Sequence, residues 1–575
     1  MKWTSWSARL FDRTFLTELS WEQWEKQAKF IQLNLTDQVI ENAFASWPDK
    51  ARELSAPWII KSIKTRRDNL LKIAREHYAF VSKSVDILGT EERERFEIER
   101  IDNDHTRVTI YEISRKGEEK RLDYQRTFDH KITRTINIYG NGNDDEFITK
   151  GSSKKGIKVR LIGGTGKDTF ADSSIVRSGA KKTIVYDDLA ENVVVKGNET
   201  ADERTGLYRY NIYDRRGTGS DYNINMPIPI IGYNPDDGFL IGGSLTMIRY
   251  GFKKEPYASI QHIGGSFSFG TRALKLDYTG DFINAFKKFD FYLDAFYHGP
   301  SYAFNYSGLG NDSQRPVDDP NFYRVRQKAI HIYPAIKKRI GLNGFVALGP
   351  LFEVSKIQET AGRYITTTDG DLDKSDIFKT KYFGGAQARF SFNNVDNIFS
   401  PHSGIRFHTG LSWTRNLKES NNFTALRAQL AFYKSLDKKE RFVIASQIGT
   451  GLNFGAGFEF FQMPTLGGNQ ESQGLRGYRT QRFYGKSSVW HSTDLRVKVN
   501  SSYNETLPFT FGVFGGFDYG RVWLKEYPSE NWHYDYGGGV WFSPVDIATL
   551  SLGAFFPKEK TEESPRIMLR LGFWF

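Results

Sequence analysis

The sequence predicts an all-β transmembrane barrel of about sixteen antiparallel strands, preceded by an N-terminal α+β region. Three observations predict it. The last ten residues, Arg566-Ile-Met-Leu-Arg-Leu-Gly-Phe-Trp-Phe575, alternate, with Ile567, Leu569, Leu571, Phe573 and Phe575 on one wholly apolar face. From about residue 223 to the end the chain is a succession of such alternating segments. No stretch reaches the roughly 18 consecutive apolar residues that a spanning helix needs. A barrel strand meets lipid on one face and a polar lumen on the other, so a barrel averages out as polar.

Composition agrees. Aromatic residues make up 15% of the 575, and there are 53 glycines, which suits interfacial girdles and tight turns. With no cysteine, a disulfide framework and a thiolate metal site are both excluded. The net charge of +11 is spread, with Lys and Arg set among Asp and Glu. No basic stripe with interleaved aromatics is present, and nucleic acid is not an expected partner. Residues 1–35 hold Trp3, Trp6, Trp21 and Trp24 among charges, without the apolar core and small-residue cleavage site of a secretory signal. Since a barrel must be exported, the chain is expected to be part of a longer precursor.

Three domains are expected: 1–93 helical, 94–222 a small β-rich domain, and 223–575 the barrel. In the first, Thr36 caps a helix over 37–46. Ser55, with Pro57 in the first turn, opens a longer helix to about Ser82. Its apolar stripe includes Ile59, Ile60, Ile63, Leu70 and Leu71, and its basic face reads as solvated. From about Glu94 the period falls to two, in 96–99, 108–111 and 122–124. A Gly/Asp-rich stretch follows. Gly163-Gly-Thr-Gly-Lys-Asp168-Thr-Phe170 fits the nonapeptide pattern of calcium-binding β-rolls, with a looser copy at Gly140–Phe147, 23 residues earlier. Asp145 and Asp168 are the hard oxygen donors such a site would use. Those rolls need tandem copies at nine-residue spacing, so tight structural turns are the competing reading. No cofactor is expected, with calcium left open.

In the barrel, about 350 residues at roughly 10 per strand plus turns give about sixteen strands. The polar segments 311–324 and 360–379 are expected as long loops on one side.

Several separated segments of the barrel, in order, resemble the BamA/TamA-type bacterial surface antigen family, the outer-membrane-protein-85 superfamily. They are Gly232-Tyr-Asn-Pro-Asp-Asp-Gly-Phe-Leu-Ile-Gly-Gly243, Tyr306-Ser-Gly-Leu-Gly-Asn311 and Asn394-Val-Asp-Asn-Ile-Phe-Ser-Pro-His-Ser-Gly404. Then come Gly467-Gly468, Leu475-Arg-Gly-Tyr478, Phe483-Tyr-Gly485 and Phe517-Asp-Tyr-Gly520. The resemblance implies a cell outer-membrane location and a long loop folded into the lumen, with Arg476, Gly477 and Tyr478 at its tip. A guanidinium in that low-dielectric interior needs a carboxylate, and Asp518, next to Gly520, is the expected partner. Phe573 and the terminal Phe575 are the implied assembly signal. Residues 36–175 are also similar to a segment that precedes such barrels in Bacteroidota proteins, in Leu54-Ser55, Arg66-Arg-Asp68, 85–90, 138–140 and 162–168. Those proteins often begin with a calcineurin-like metallophosphoesterase domain, whose metal motifs are absent from this chain.

The expected function is protein translocation or outer-membrane protein assembly, with outer-membrane lipid, a polypeptide substrate and accessory periplasmic proteins as partners. The alternatives are an anchor or exporter for a fused or partner periplasmic enzyme domain, and a plugged pore. The strand–helix–helix–strand–strand repeats that receive substrate in insertases of the family are not recognisable before residue 223. No HExxH, GxSxG or P-loop is present, and the chain is expected not to be an enzyme.

Overall fold

The computed structural model describes the chain except for residues 1–4, 190, 207, 215–221, 235–237, 287, 368–371, 399, 469–473, 503–507, 545–548, 560–564 and 574–575. It forms two compact units. One holds residues 1–222 and 251–255, the other 223–250 and 256–575.

In the first unit all long helices precede the first strand. Trp21–Asn34 opens on a Ser20/Gln23 capping box, and Asp37–Asn42 on Thr36, whose hydroxyl accepts from Val39 N–H. The next helix corrects the sequence reading. It starts at Asp49, behind Pro48, and carries Pro57 in its interior. An acid directly after a proline is itself a start signal, and an interior proline removes one i−4 bond without always ending a helix. The predicted single helix is also broken at Asn69, and Leu70–Val81 is separate. Ile40, Phe44 and Ala56 pack with Ile59, Ile60 and Ile63.

The β part of this unit begins at Ser84–Leu88, inside the segment expected to be helical. It is a parallel stack rather than a set of local hairpins. Ser84–Leu88, Thr135–Gly142, Lys158–Thr165 and Thr183–Tyr186 pair successively in parallel. Glu94–Arg100, Glu146–Ser153, Thr169–Asp172 and Val193–Val195 do the same in a second sheet. The chain thus coils as a two-sheet solenoid. Equivalent residues lie 51, 23 and 24 positions apart, and the long first interval contains the antiparallel strands His105–Ile113 and Glu119–Asp129. Phe96, Phe147 and Phe170 stack through the core, with centroids 4.6 and 4.8 Å apart. Backbone chemistry explains the Gly-rich turns. Gly166 has φ +141°, and a Cβ there would lie 1.9 Å from the Asn143 carbonyl of the coil below.

The second unit is one antiparallel sheet from Ile224–Asn234 to Arg566–Leu571, each strand bonded to its neighbours. Phe289–His298 and Ala303–Asn305 pair one after the other along Arg324–Ile340, as one interrupted strand, so sixteen strands form the wall. The first and last strands lie side by side. Among the described residues no hydrogen-bonded register joins them. The barrel is therefore nearly closed, with a seam.

Strand parity sets the two faces. In Phe509–Trp523, Phe511, Val513, Phe517, Tyr519 and Trp523 are exposed, whereas Phe514, Asp518 and Val522 are buried. In the last strand Ile567 and Leu569 are exposed and Met568 is buried. The apolar exposed rows are the lipid-facing surface. Phe573 departs from the predicted parity. Gly572 takes φ +92° after the strand ends, and the Phe573 ring turns in against Trp541 (5.6 Å) and beneath the Arg496 guanidinium (3.8 Å). Phe575 lies outside the described residues.

Candidate functional site

The candidate site is the segment between Phe442–Gly455 and Ser487–Ser502, which packs on the inner face of the wall. Its tip is Arg476, 3% exposed. Arg476 donates to Asp518 from its backbone N–H (2.9 Å), Nε (2.8 Å) and Nη2 (2.6 Å). Its Nη1 donates to Asp494 Oδ1 at 2.8 Å. The Phe555 ring lies 4.2 Å from the guanidinium carbon. Asp518, Asp494 and Asp535 come from three adjacent strands, at inward positions, and all are fully buried. Removing the charges of Arg476, Asp518 and Asp494 from water is costly, and the charge-assisted bonds from the guanidinium to these two carboxylates offset that cost.

Gly477 must be small. A Cβ there would lie 2.7 Å from the Asp535 Cβ and 3.0 Å from the Pro557 nitrogen. Tyr478 is wholly buried, and its hydroxyl donates to the Tyr534 carbonyl (3.2 Å) and to the Glu559 carboxylate. Gly520 does not reach Arg476; it makes room instead for the backbone and Cβ of Trp490. The structure thus brings Arg476, Gly477, Tyr478 and Asp518 together and sets Gly520 apart. Asp494 and Asp535 escaped the sequence reading. Asp494 could have been found by parity, since it shares the inward row with Trp490, Ser492 and Arg496.

A second set of bonds ties the flank of this segment to residues 305–313. Arg482 donates to the Ser307 and Ser313 hydroxyls (2.9 and 2.8 Å) and to the Ser313 carbonyl (2.7 Å). The Tyr484 hydroxyl donates to the Asn305 carbonyl at 2.7 Å, and Gly310 N–H to the Tyr484 carbonyl at 2.9 Å. Asn311 accepts from Val522 N–H and donates to the Asn531 carbonyl, both at 3.0 Å. The segment is therefore held at its tip by an ionic cluster and at its flank by hydrogen bonds to uncharged acceptors, three of them from the Arg482 guanidinium.

Asp145 and Asp168, the two candidate calcium donors, lie in the solenoid. Asp145 Oδ1 accepts from Glu94 N–H, and Asp168 Oδ1 from Asp145 N–H, both at 2.9 Å. Among the described residues, three acids or histidines close enough to share one ion occur at Asp396, His402 and Glu440, and at Asp376, Glu419 and Glu459. The second group already surrounds the Lys381 ammonium.

Comparison with known proteins gives a family match and remote structural likenesses. Residues 299–575 match the Omp85 superfamily domain. No curated protein matches the sequence. Among solved structures, BamA from Haemophilus ducreyi lacking POTRA domains 1–3 is 14% identical. The likeness covers 62% of this chain and 70% of that one, with a TM-score of 0.43. CdiB from Escherichia coli is 13% identical over 61% of this chain and 62% of that one, TM-score 0.38. CdiB from Acinetobacter baumannii is 10% identical over 60% and 58%, TM-score 0.37.

Proposed function

From a chain that belongs, through residues 299–575, to the Omp85 superfamily of bacterial outer-membrane barrels, we propose a protein that passes or inserts polypeptide at the seam of its wall. The superfamily consists of transport and assembly barrels rather than enzymes. The observation that carries the reading is the pair of terminal strands, Ile224–Asn234 and Arg566–Leu571, which lie side by side with no paired register among the described residues. An unpaired strand edge is a template for a further strand, and within lipid its polar groups must find partners. The inward segment around Arg476 supports the same route. It occupies lumen space that a wide passive pore would leave open.

A second reading has its own support. The described helices and solenoid of the first unit do not contain the strand–helix–helix–strand–strand order, because its five α-helices precede every strand. A barrel fronted by a solenoid suits the anchoring or export of one particular periplasmic partner better than general assembly.

The absence of cysteine makes the test clean. Cysteine pairs placed in the first and last strands would be oxidised to close the seam, and the protein reconstituted with an unfolded outer-membrane barrel as substrate. Loss of substrate insertion on oxidation, restored by reduction, is expected. Full insertion by the sealed barrel overturns the seam route. A barrel inert in both states favours the anchoring role.

A further inference from the structure

The first strand of the wall, Ile224–Asn234, carries two prolines, Pro227 and Pro229. Both lie inside its ladder with Gly238–Gly251. That ladder runs unbroken from Ile224 to Asn234, with Pro227 opposite Leu245 and Pro229 opposite Gly243. In an antiparallel pair the N–H and C=O of one residue point to the same neighbour, and those of the next residue point to the other side. A proline has no N–H to give. The ladder can pass both prolines only if its donors are the even residues, 226, 228 and 230. The even carbonyls do face that way. Arg249 Nη1 donates to the Ile224 carbonyl at 3.0 Å, and the Ile228 carbonyl lies 3.7 Å from where a Cβ on Gly243 would stand. The odd residues therefore turn their backbone groups to the other edge, which is the seam. At that edge the carbonyls of 225, 227, 229, 231 and 233 are matched by amides at Asn225, Ile231 and Tyr233 alone.

Elsewhere in the wall the effect of such prolines is visible. Pro334 pairs with Leu293 in an unbroken ladder, and Pro350 with Ala386 in another. Between the two strands that carry these prolines, pairing runs to Ile332 and Phe352 and resumes at Ile336 and Leu348. The flanking register sets Pro334 opposite Pro350 in the gap, each on its donor-less side. Pairing lapses there over 333–335 and 349–351, although the ladder is intact on both sides.

We infer that Pro227 and Pro229 hold the seam open. They withhold the amide at two successive seam-facing sites, so neither Arg566–Leu571 nor any other strand can complete a ladder along that stretch. Pairing at the far end of the strand is left to Ile231 and Tyr233. On the seam route proposed above, and resting on it, the same residues make the first strand a weak template. A polypeptide segment is caught by a few bonds at that end and released, rather than kept as a permanent part of the wall. The prolines share a strand face with the exposed Ile231 and, across the ladder, with the exposed Ile241. Valine at both positions restores the amides and keeps that face apolar.

The test uses the full chain in lipid vesicles. The double variant Pro227→Val/Pro229→Val is compared with wild type and with Pro334→Val, the same change away from the seam. Amide exchange in peptides spanning 224–234 and 566–571 should slow about 10-fold or more in the double variant, the effect of one or two restored ladder bonds. Its SDS-resistant form should also survive to a higher temperature. Exchange in these peptides of Pro334→Val should match wild type. Insertion of an unfolded outer-membrane barrel should fall several-fold in the double variant alone. Unchanged exchange in both peptides overturns the inference, since something other than the missing amides would then keep the strands apart. Slower exchange with insertion unchanged upholds the prolines as what holds the seam open and rejects the seam route instead. Each single valine variant should show part of the slowing, so the exchange reading still decides the matter if the double variant does not assemble.

Discussion

Arg476 and Asp518 are joined by three hydrogen bonds, one from the arginine backbone and two from its side chain. Asp518 therefore fixes both where the tip of the inward segment lies and which way its guanidinium points. Arg476→Ala leaves Asp518 buried without its cation and Asp494 with only the more distant Arg496, at 3.9 Å. A loss of about 3–5 kcal/mol is expected, by analogy with other broken buried pairs. Arg476→Lys should recover little of it, because an ammonium cannot reproduce the fork. Urea unfolding in detergent and heat-dependent migration on SDS gels read both variants. An Arg476→Ala barrel as stable as wild type would remove the tip from any anchoring role.

Gly477→Ala should displace the same tip by contact alone, because the new methyl would meet the Asp535 Cβ at 2.7 Å. The expected phenotype matches Arg476→Ala in direction. Asp535→Gly should relieve it in part, whereas Asp535→Ala, which keeps the Cβ, should not. Equal rescue by both would show that charge rather than space is at fault.

Asn311→Ala removes a side chain that bridges Val522 N–H and the Asn531 carbonyl. Leaving buried groups unpaired costs about 1–3 kcal/mol. Faster protease cleavage within 305–316 and 524–532, with the barrel still SDS-resistant, is the expected result. An unchanged cleavage pattern would mean that the Asn311 bonds are redundant.

Phe147→Ala opens a gap between two stacked rings in the solenoid. The expected cost is about 3–5 kcal/mol, and Phe147→Leu should cost less. Hydrogen exchange of peptides from 84–202 measures it, with barrel peptides as the internal control. A rise in exchange confined to 146–153 would show that the coils do not unfold together.

The barrel was legible because period 2 is a strong pattern. Phe511, Val513 and Phe517 alternate with Gly512, Phe514 and Asp518, and the exposures follow. The pairing of Arg476 with Asp518 was expected from a motif resemblance, and the distances show a bidentate side-chain contact. Asp494 and Asp535 were missed because each is a single acid in a strand with no motif around it. The solenoid was half legible. The 23-residue echo between Gly140–Phe147 and Gly163–Phe170 is one coil, but an inserted pair of strands separates it from the copy at Gly89–Phe96. In the fourth coil Asp187, Asn192 and Val194 replace Gly, Asp and Phe. Phe573 was placed on the lipid face by alternation, which the positive φ of Gly572 interrupts.

Sixteen is an even number, and that has a consequence for sidedness. The chain enters the wall before Ile224 and leaves it after Leu571 on one and the same rim. Counting strands from there, the connections 299–323, 359–380 and 456–486 all emerge at the opposite rim, whereas 341–343 and 436–441 turn at the first. A small impermeant label applied to intact cells should therefore divide single-cysteine variants into two classes by strand count alone, so that Ser313 and Leu342 fall in different classes even though one strand separates their connections.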